Sequence, residues 1–315
     1  MAHPELGPLR SIRTRDLEVG YLDAGPDGGK PVILLHGYPY DIHSYSEVVP
    51  LLAARGRRVI VPYLRGHGPT RSLTDAGRSG QQAALGADLV ALMDALGLDR
   101  ATYAGYDWGG RAACVAAALW PERCDGVVSV NGYLIQDIQA AARPIAPALE
   151  AGFWYFYYFA TERGRAGLTA NRAEIARIIW TRNSPRWSFT DADLQEAARA
   201  FENPDYVEVV IHSYRHRLGL APGHPDYAAL ERRLALAPPV TAPAVTLDGA
   251  ADGNFPATDG TGYAAHFTGR HAHHVVPDAG HNLPREAPHA FADAVLELAV
   301  LRSDAHDAPE HANGV

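Results

Sequence analysis

Short apolar runs rich in β-branched residues alternate with longer stretches of helical periodicity through the first third of the chain. Pro31–Leu35 and Arg58–Val61 are brief, apolar and bounded by polar or turn-forming residues, the pattern of strands buried on both faces. Helical spacing predicts one helix between them, from Tyr45 to Arg55, and another from Gln81 to Leu96. Ala101–Tyr106 predicts a third strand that runs directly into a helix ending at Trp120, and Asp125–Val130 predicts a fourth strand. Strands that alternate with helices imply an α/β fold, with a mostly parallel sheet flanked by helices on both faces. The pattern then changes. From Gly132 to Pro239 only helical periodicity remains, with aromatic-rich faces. Strand signals return at Pro243–Leu247 and His273–Val276, and a last helix is predicted from Ala287 to Leu301. The expected organisation is a core over residues 1–133 and 240–302, an all-helical insert over 134–239, and a disordered tail over 303–315.

Composition excludes several function classes. A net charge of -8 with no Lys/Arg-rich run gives no footprint for nucleic acid. No segment approaches the roughly 18 apolar residues of a membrane span, and Met1–Arg15 lacks the apolar stretch of a secretion signal. Cys114 and Cys124 are the two cysteines of 315 residues, too few for a disulfide framework. A cytoplasmic protein, monomer or homodimer, is expected. His271, His273 and His274, and the pair His212 and His216, lack a further ligand at a metal-binding spacing. No metal and no organic cofactor is expected.

The chemistry concentrates at Gly105–Tyr106–Asp107–Trp108–Gly109–Gly110, between the third strand and its helix. Small residues flanking a central nucleophile mark a sharp strand-to-helix turn, here with Asp where serine is more usual. The helix that follows aims N–H groups and a positive dipole end at residue 107. A helix-capping aspartate would look the same locally, so the rest of the constellation decides. A carboxylate that attacks an sp³ carbon forms an alkyl ester, which water can cleave at the carboxylate's own carbonyl. Asp107 therefore points to epoxide opening or halide displacement. His36–Gly37–Tyr38–Pro39 follows the Pro31–Leu35 strand, so the Tyr38 and Trp108 N–H groups are candidates for an oxyanion hole. His281, in Gly280–His281–Asn282, is the candidate base. Asp248 and Asp252 both qualify as its acid; Asp252 is favoured because it lies beyond the strand end, and Asn131 is a weaker rival.

These motifs, with Arg65–Gly66–His67–Gly68 and Pro121–Glu122–Arg123, resemble the Asp-nucleophile branch of the α/β-hydrolase superfamily, and within it the epoxide hydrolases. The resemblance runs to about Arg302 and implies an α/β-hydrolase fold with an inserted helical cap. It also implies two cap tyrosines that bond the epoxide oxygen. Phe153–Trp154–Tyr155 and Ser213–Tyr214–Arg215 resemble their motifs, giving Tyr155 and Tyr214. The implied substrate is a small molecule, bulky or aromatic, held by His36, Phe153, Trp154, Trp180 and Trp187. Dehalogenases are near relatives: Trp108 directly after the nucleophile resembles the haloalkane enzymes, and Arg111 the fluoroacetate enzymes. A non-catalytic binding protein on the same fold is the remaining alternative.

Overall fold

The order in which strands pair fixes where the site can form. The computed structural model describes residues 6–303; apart from Ser303, the tail expected to be disordered lies outside the described residues. Strands β1 (Arg10–Arg13), β2 (Leu17–Ala24), β3 (Lys30–Leu35), β4 (Arg57–Pro62), β5 (Arg71–Ser72), β6 (Ala101–Gly105), β7 (Cys124–Val130), β8 (Ala244–Gly249) and β9 (His271–Val276) build one sheet. Its order is β1-β2-β4-β3-β6-β7-β8-β9, with β5 also on β2. From β4 to β9 every pairing is parallel, whereas β1, β2 and β5 join antiparallel at one side. The sequence pattern located the six parallel strands within a few residues and passed over β1, β2 and β5.

Core helices α1 (Val48–Ala53), α2 (Gln82–Ala95) and α3 (Asp107–Leu119) occupy three of the connections. Between β7 and β8 the described chain contains no strand. It forms α4 (Pro147–Gly152), α5 (Trp154–Phe159), α6 (Glu162–Ala170), α7 (Arg172–Asn183), α8 (Asp191–Phe201), α9 (Tyr206–Arg217) and α10 (Ala228–Leu234). Short helices α11 (Thr261–Ala264) and α12 (Leu283–Glu286) precede the last, α13 (Pro288–Ser303). Val32, Ile33, Leu34 and Leu35 in β3, and Val59, Ile60 and Val61 in β4, are essentially inaccessible to solvent. Each such side chain contributes roughly 1.5–3 kcal/mol by leaving water.

Parallel pairing aligns the carboxyl ends of the central strands. Leu35 lies opposite Gly105, Val130 opposite Leu247 and Gly249 opposite Val276. The loops that carry His36–Tyr38, Asp107, Asn131, Asp252 and His281 therefore leave from one edge, where open α/β sheets place their ligands. Helix α3 can start so close to β3 because residue 109 is glycine. A Cβ there would sit 1.8 Å from the Leu35 carbonyl oxygen and 2.7 Å from that of His36. Neither backbone atom can yield without moving the strand. Gly109→Ala is expected to lower folding stability by about 3 kcal/mol or more, read as a fall in the urea midpoint. An unchanged midpoint would show that the elbow does not depend on this close approach.

Candidate active site

Asp107 stands at the turn with φ +49°, the left-handed region that non-glycine residues seldom occupy and that costs of order 1–3 kcal/mol. This conformation projects the carboxylate toward the β3 loop, where the Tyr38 N–H donates to Oδ1 at 2.7 Å. The Trp108 N–H also faces it. Gly37 makes room: a Cβ there would meet the Asp107 Cβ at 2.8 Å. His36 governs how the loop presents itself. Its Nε2 lies 3.1 Å from the Leu64 N–H and accepts from it, so Nδ1 carries the proton and donates to the Gly37 carbonyl at 2.9 Å. Carbonyl and N–H of one peptide point in opposite directions; anchoring the Gly37 carbonyl thus turns the Tyr38 N–H toward Asp107. His36 is fully buried with both ring nitrogens engaged. Where the sequence suggested a substrate contact, the ring bonds through both nitrogens to backbone and supports the loop.

His281 lies across from the carboxylate, its Nε2 3.8 Å from Asp107 Oδ2. Its Nδ1 meets Asp252 Oδ2 at 2.9 Å. Asp248 turns away to accept from the Thr258 N–H and hydroxyl. Asn131, weighed as an acid, is instead a donor to Asp252 Oδ2 at 3.3 Å, and the Asn254 and Phe255 N–H groups hold Oδ1. Burial alone would push the Asp107 carboxyl up, but His281 and the Tyr38 and Trp108 N–H groups outweigh it and hold it below the usual carboxylate range. Burial pulls His281 down, yet Asp252 and then Asp107 push its pKa up to about 10. The resting site is an imidazolium between two carboxylates.

Two further supports come from the helical insert, and the sequence pattern carried no signal for either. Ser184 Oγ accepts from the His281 N–H at 3.0 Å and donates to Glu286, while the Asn183 carbonyl accepts from the same N–H at 3.2 Å. Trp180 donates its indole N–H to the Pro39 carbonyl at 2.8 Å and stacks on Tyr40 with ring centres 5.2 Å apart. Trp187 packs on Trp180.

Tyr155 and Tyr214 are both buried, with ring centres 5.3 Å apart. Burial raises both phenol pKa values, and the Asp107 charge contributes to each; both phenols belong to the Asp107 site. Among the described residues the Tyr214 hydroxyl and the Trp108 indole N–H have no hydrogen-bond partner, although both are buried. The two rings lie 5.9 Å apart.

A cavity of about 580 Å³ adjoins this cluster, a volume suited to a drug-sized ligand. Phe153, Phe156 and Phe255 line it; Phe156 packs on Tyr155 and Tyr214, and Phe255 stacks on the His281 ring. Of the aromatic residues expected to contact substrate, Phe153 lines the cavity, whereas Trp154, Trp180 and Trp187 do not. Trp180 and Trp187 brace the loop below Tyr40, and Trp154 sits against Tyr155 and Tyr158. Tryptophan identity marked them as ligand contacts, but α5 and α7 turn Trp154 and Trp180 into aromatic packing, and Trp187, in the turn after α7, packs on Trp180. Among the described residues no three His, Cys, Asp or Glu side chains converge to hold a metal, and no helix is long and apolar enough to cross a membrane.

The arrangement has counterparts in known proteins. Residues 30–288 match the family model described as alpha/beta hydrolase fold. The crystal structure of a candidate epoxide hydrolase from Klebsiella pneumoniae subsp. pneumoniae is 49% identical, with a TM-score of 0.90 over 93% of this chain and 97% of that one. Epoxide hydrolase A of Mycobacterium tuberculosis is 31% identical over 48% of this chain and 47% of its own length. A haloalkane dehalogenase of Psychrobacter cryohalolentis is 37% identical over 38% of this chain and 39% of its own. This chain thus matches about half or less of the length of these two curated relatives. With an elbow aspartate, an oxyanion loop after β3 and a histidine–aspartate pair after β9 and β8, and a family match over most of its length, the chain belongs to the alpha/beta hydrolase fold family.

Proposed function

We propose that this protein is an epoxide hydrolase, which adds water to an epoxide through an ester on Asp107. The observation that carries the reading is a carboxylate nucleophile facing two buried phenols, one of them without a protein partner. A phenol donates to an oxygen that is becoming alkoxide and keeps its own proton at neutral pH. Names of relatives agree: the Klebsiella and Mycobacterium proteins are described as epoxide hydrolases, the first as a candidate.

In this reading each carboxylate oxygen has its own role. Asp107 Oδ1 is held by the Tyr38 N–H, so Oδ2 is free to attack a ring carbon. The carbon–oxygen bond of the epoxide breaks, and the alkoxide takes its proton from Tyr155 or Tyr214, restored later from solvent. In the second step His281 removes a proton from water, and the hydroxide adds to the Asp107 carbonyl carbon. The Tyr38 and Trp108 N–H groups hold the oxyanion, a contribution of about 10²–10³ in rate. Collapse releases the diol, protonated by His281; the acid left on Asp107 then passes its proton to His281, which restores the carboxylate–imidazolium pair.

Charge tells the base when to act. In the resting site Asp107 and Asp252 keep His281 protonated. Esterification neutralises Asp107, removes its share of that stabilisation and lowers the imidazole pKa, so the ring gives up its Nε2 proton to solvent and becomes a base once there is an ester to cleave. A second reading rests on Trp108: an unpaired buried indole N–H suits a leaving halide, and a dehalogenase stands among the relatives.

The deciding experiment is the intact mass of His281→Gln after incubation with an aryl epoxide or a short bromoalkane. The whole epoxide mass on Asp107 is expected. An alkyl adduct lacking bromine, seen with the bromoalkane alone, would make the enzyme a dehalogenase. Tyr214→Phe is expected to slow single-turnover ester formation about 10²-fold while leaving ester hydrolysis within a few-fold; equal slowing of both steps would remove the phenol from ring opening. Asp107→Asn is expected to lower the His281 pKa from about 10, followed by NMR of the imidazole. An unchanged value would show that Asp252 alone sets it. Because the folded pKa lies above the ordinary 6.5, the associated stabilisation is complete below that pH and is lost as pH rises through about 10.

A further inference from the structure

Three arginines line the large cavity beside the catalytic cluster, and none forms an ion pair among the described residues; Arg143 is exposed, whereas Arg111 and Arg217 are at least half-buried. Arg111 lies one helical turn beyond Asp107 on α3, and Arg217 ends α9 of the insert. Both line the cavity. Arg111 is 8% exposed. Its Nη1 donates to the Leu134 carbonyl and, at 3.4 Å, to Gln82 Oε1, and its Nε is buried without a partner among the described residues. Arg217 is half-buried; its guanidinium lies 4.5 Å above the Phe156 ring, and its Nε donates to Gln136 Oε1 at 3.1 Å. Neutral amides connect the two. Gln82 Oε1 accepts from the Gln136 backbone N–H, and the Gln136 side chain returns to Arg217. Glu231, the nearest acid on this network, is engaged by Gln81, Gln82 and the Ala83 N–H, and by neither arginine.

Like charges close together in a poorly solvated site repel, and a bound anion relieves that repulsion. Burial first, and then Arg217, pull the Arg111 pKa down to about 9, a fall that the Asp107 charge opposes without cancelling. Both arginines line one cavity, and a guanidinium fork matches the two-oxygen geometry of a carboxylate. Acidic groups on the cavity wall set the charge limit. Asp137 and Glu150 line the same cavity with partners of their own and disfavour a dianion. Leu134, Phe153, Phe156 and Phe255 give the cavity an apolar side, and exposed Arg143 adds no negative charge.

We propose that Arg111 and Arg217 form an anion subsite, and that the substrate is an epoxide whose apolar body ends in a carboxylate. The subsite holds the acid in the cavity while the epoxide reaches past Phe156 to Asp107 and the two phenols. The substrate class rests on the epoxide hydrolase reading; the anion subsite does not.

Calorimetry with phenylbutanoate and phenylbutanamide, neither of which can react, tests the subsite directly. The wild type is expected to bind the acid about 10- to 100-fold more tightly than the amide. Arg111→Met and Arg217→Met are each expected to bring that ratio close to one, and Arg217→Lys to restore part of it. Arg217 is half-buried at a helix end, so its variant reports even if Arg111→Met fails to fold. Equal affinity for acid and amide in the wild type, or a preference that survives Arg217→Met, would overturn the subsite. Tighter binding of phenyl phosphate than of phenylbutanoate would overturn the choice of carboxylate. Steady-state comparison of an aryl epoxide carrying an alkyl carboxylate with its methyl ester should show the same preference in kcat/KM. Acid binding without an adduct from any epoxide would sink the epoxide reading and leave the subsite intact. Turnover without acid preference would do the reverse.

Discussion

A carboxylate that is buried, ionised and reactive is the constraint on which the rest of this structure depends. Taking such a charge out of water costs several kcal/mol, and Asp107 bears a strained backbone in addition. The compensation is assembled from three separate stretches of chain: the β3 loop supplies an N–H, the start of α3 supplies another, and the loop after β9 supplies an imidazolium. None of these stands alone. The sheet register brings the β3 and β6 ends together, Gly37 and Gly109 allow the approach, and His36 turns the Gly37–Tyr38 peptide. Loss of any one would leave a buried charge underpaired, so much of the fold near β3 and β6 serves a single side chain.

The helical insert is part of this support as well as a wall of the site. Its α7 reaches both halves of the machinery: Trp180 fixes the Pro39 carbonyl at the oxyanion loop, and Asn183 with the following Ser184 fixes the backbone of His281. One short stretch thus sets the distance between the base and the oxyanion donors. Helix α9 contributes Tyr214, and α5 contributes Tyr155. Movement of the insert would therefore displace phenols, base and oxyanion loop together, which binds its packing to the chemistry.

The core was legible because parallel strands buried on both faces write themselves as apolar runs, as in Val32–Leu35 of β3 and Val59–Val61 of β4. The antiparallel side was not. In β1, Arg10, Ser11 and Arg13 are polar and the strand lies at an exposed edge, where charge guards against further pairing and erases the strand signal. Strand β2 is interrupted by Glu18, Gly20 and Asp23, and β5 is two residues long. At the site, Asp107, Tyr38 and His281 stand out because each occupies a motif tied to a turn. Asp252 was distinguishable from Asp248 by one feature, its place beyond the strand end. Trp180, Trp187 and His36 misled because residue type says nothing about which way a helix or a loop turns it. Ser184 and Gln136 left no trace: their roles come from contacts across long sequence separations.

The same geometry explains why the acid is held so firmly. Four donors converge on Asp252: two backbone N–H groups on Oδ1, and Asn131 with His281 on Oδ2. The His281 Nδ1 proton is therefore committed to Asp252, and exchange with solvent during turnover falls to Nε2, the nitrogen that faces Asp107. Proton traffic in such a site has one direction. Were Asp252 free to rotate, Nδ1 would lose its fixed partner, the tautomer would be undetermined and the ring could present a protonated nitrogen to water. Asn131, at φ +66° where β7 ends, holds the Oδ2 that binds the imidazole. The strained residues Asp107 and Asn131 thus stand at the ends of neighbouring strands β6 and β7, one carrying the reacting carboxylate and the other securing the carboxylate that orients its base.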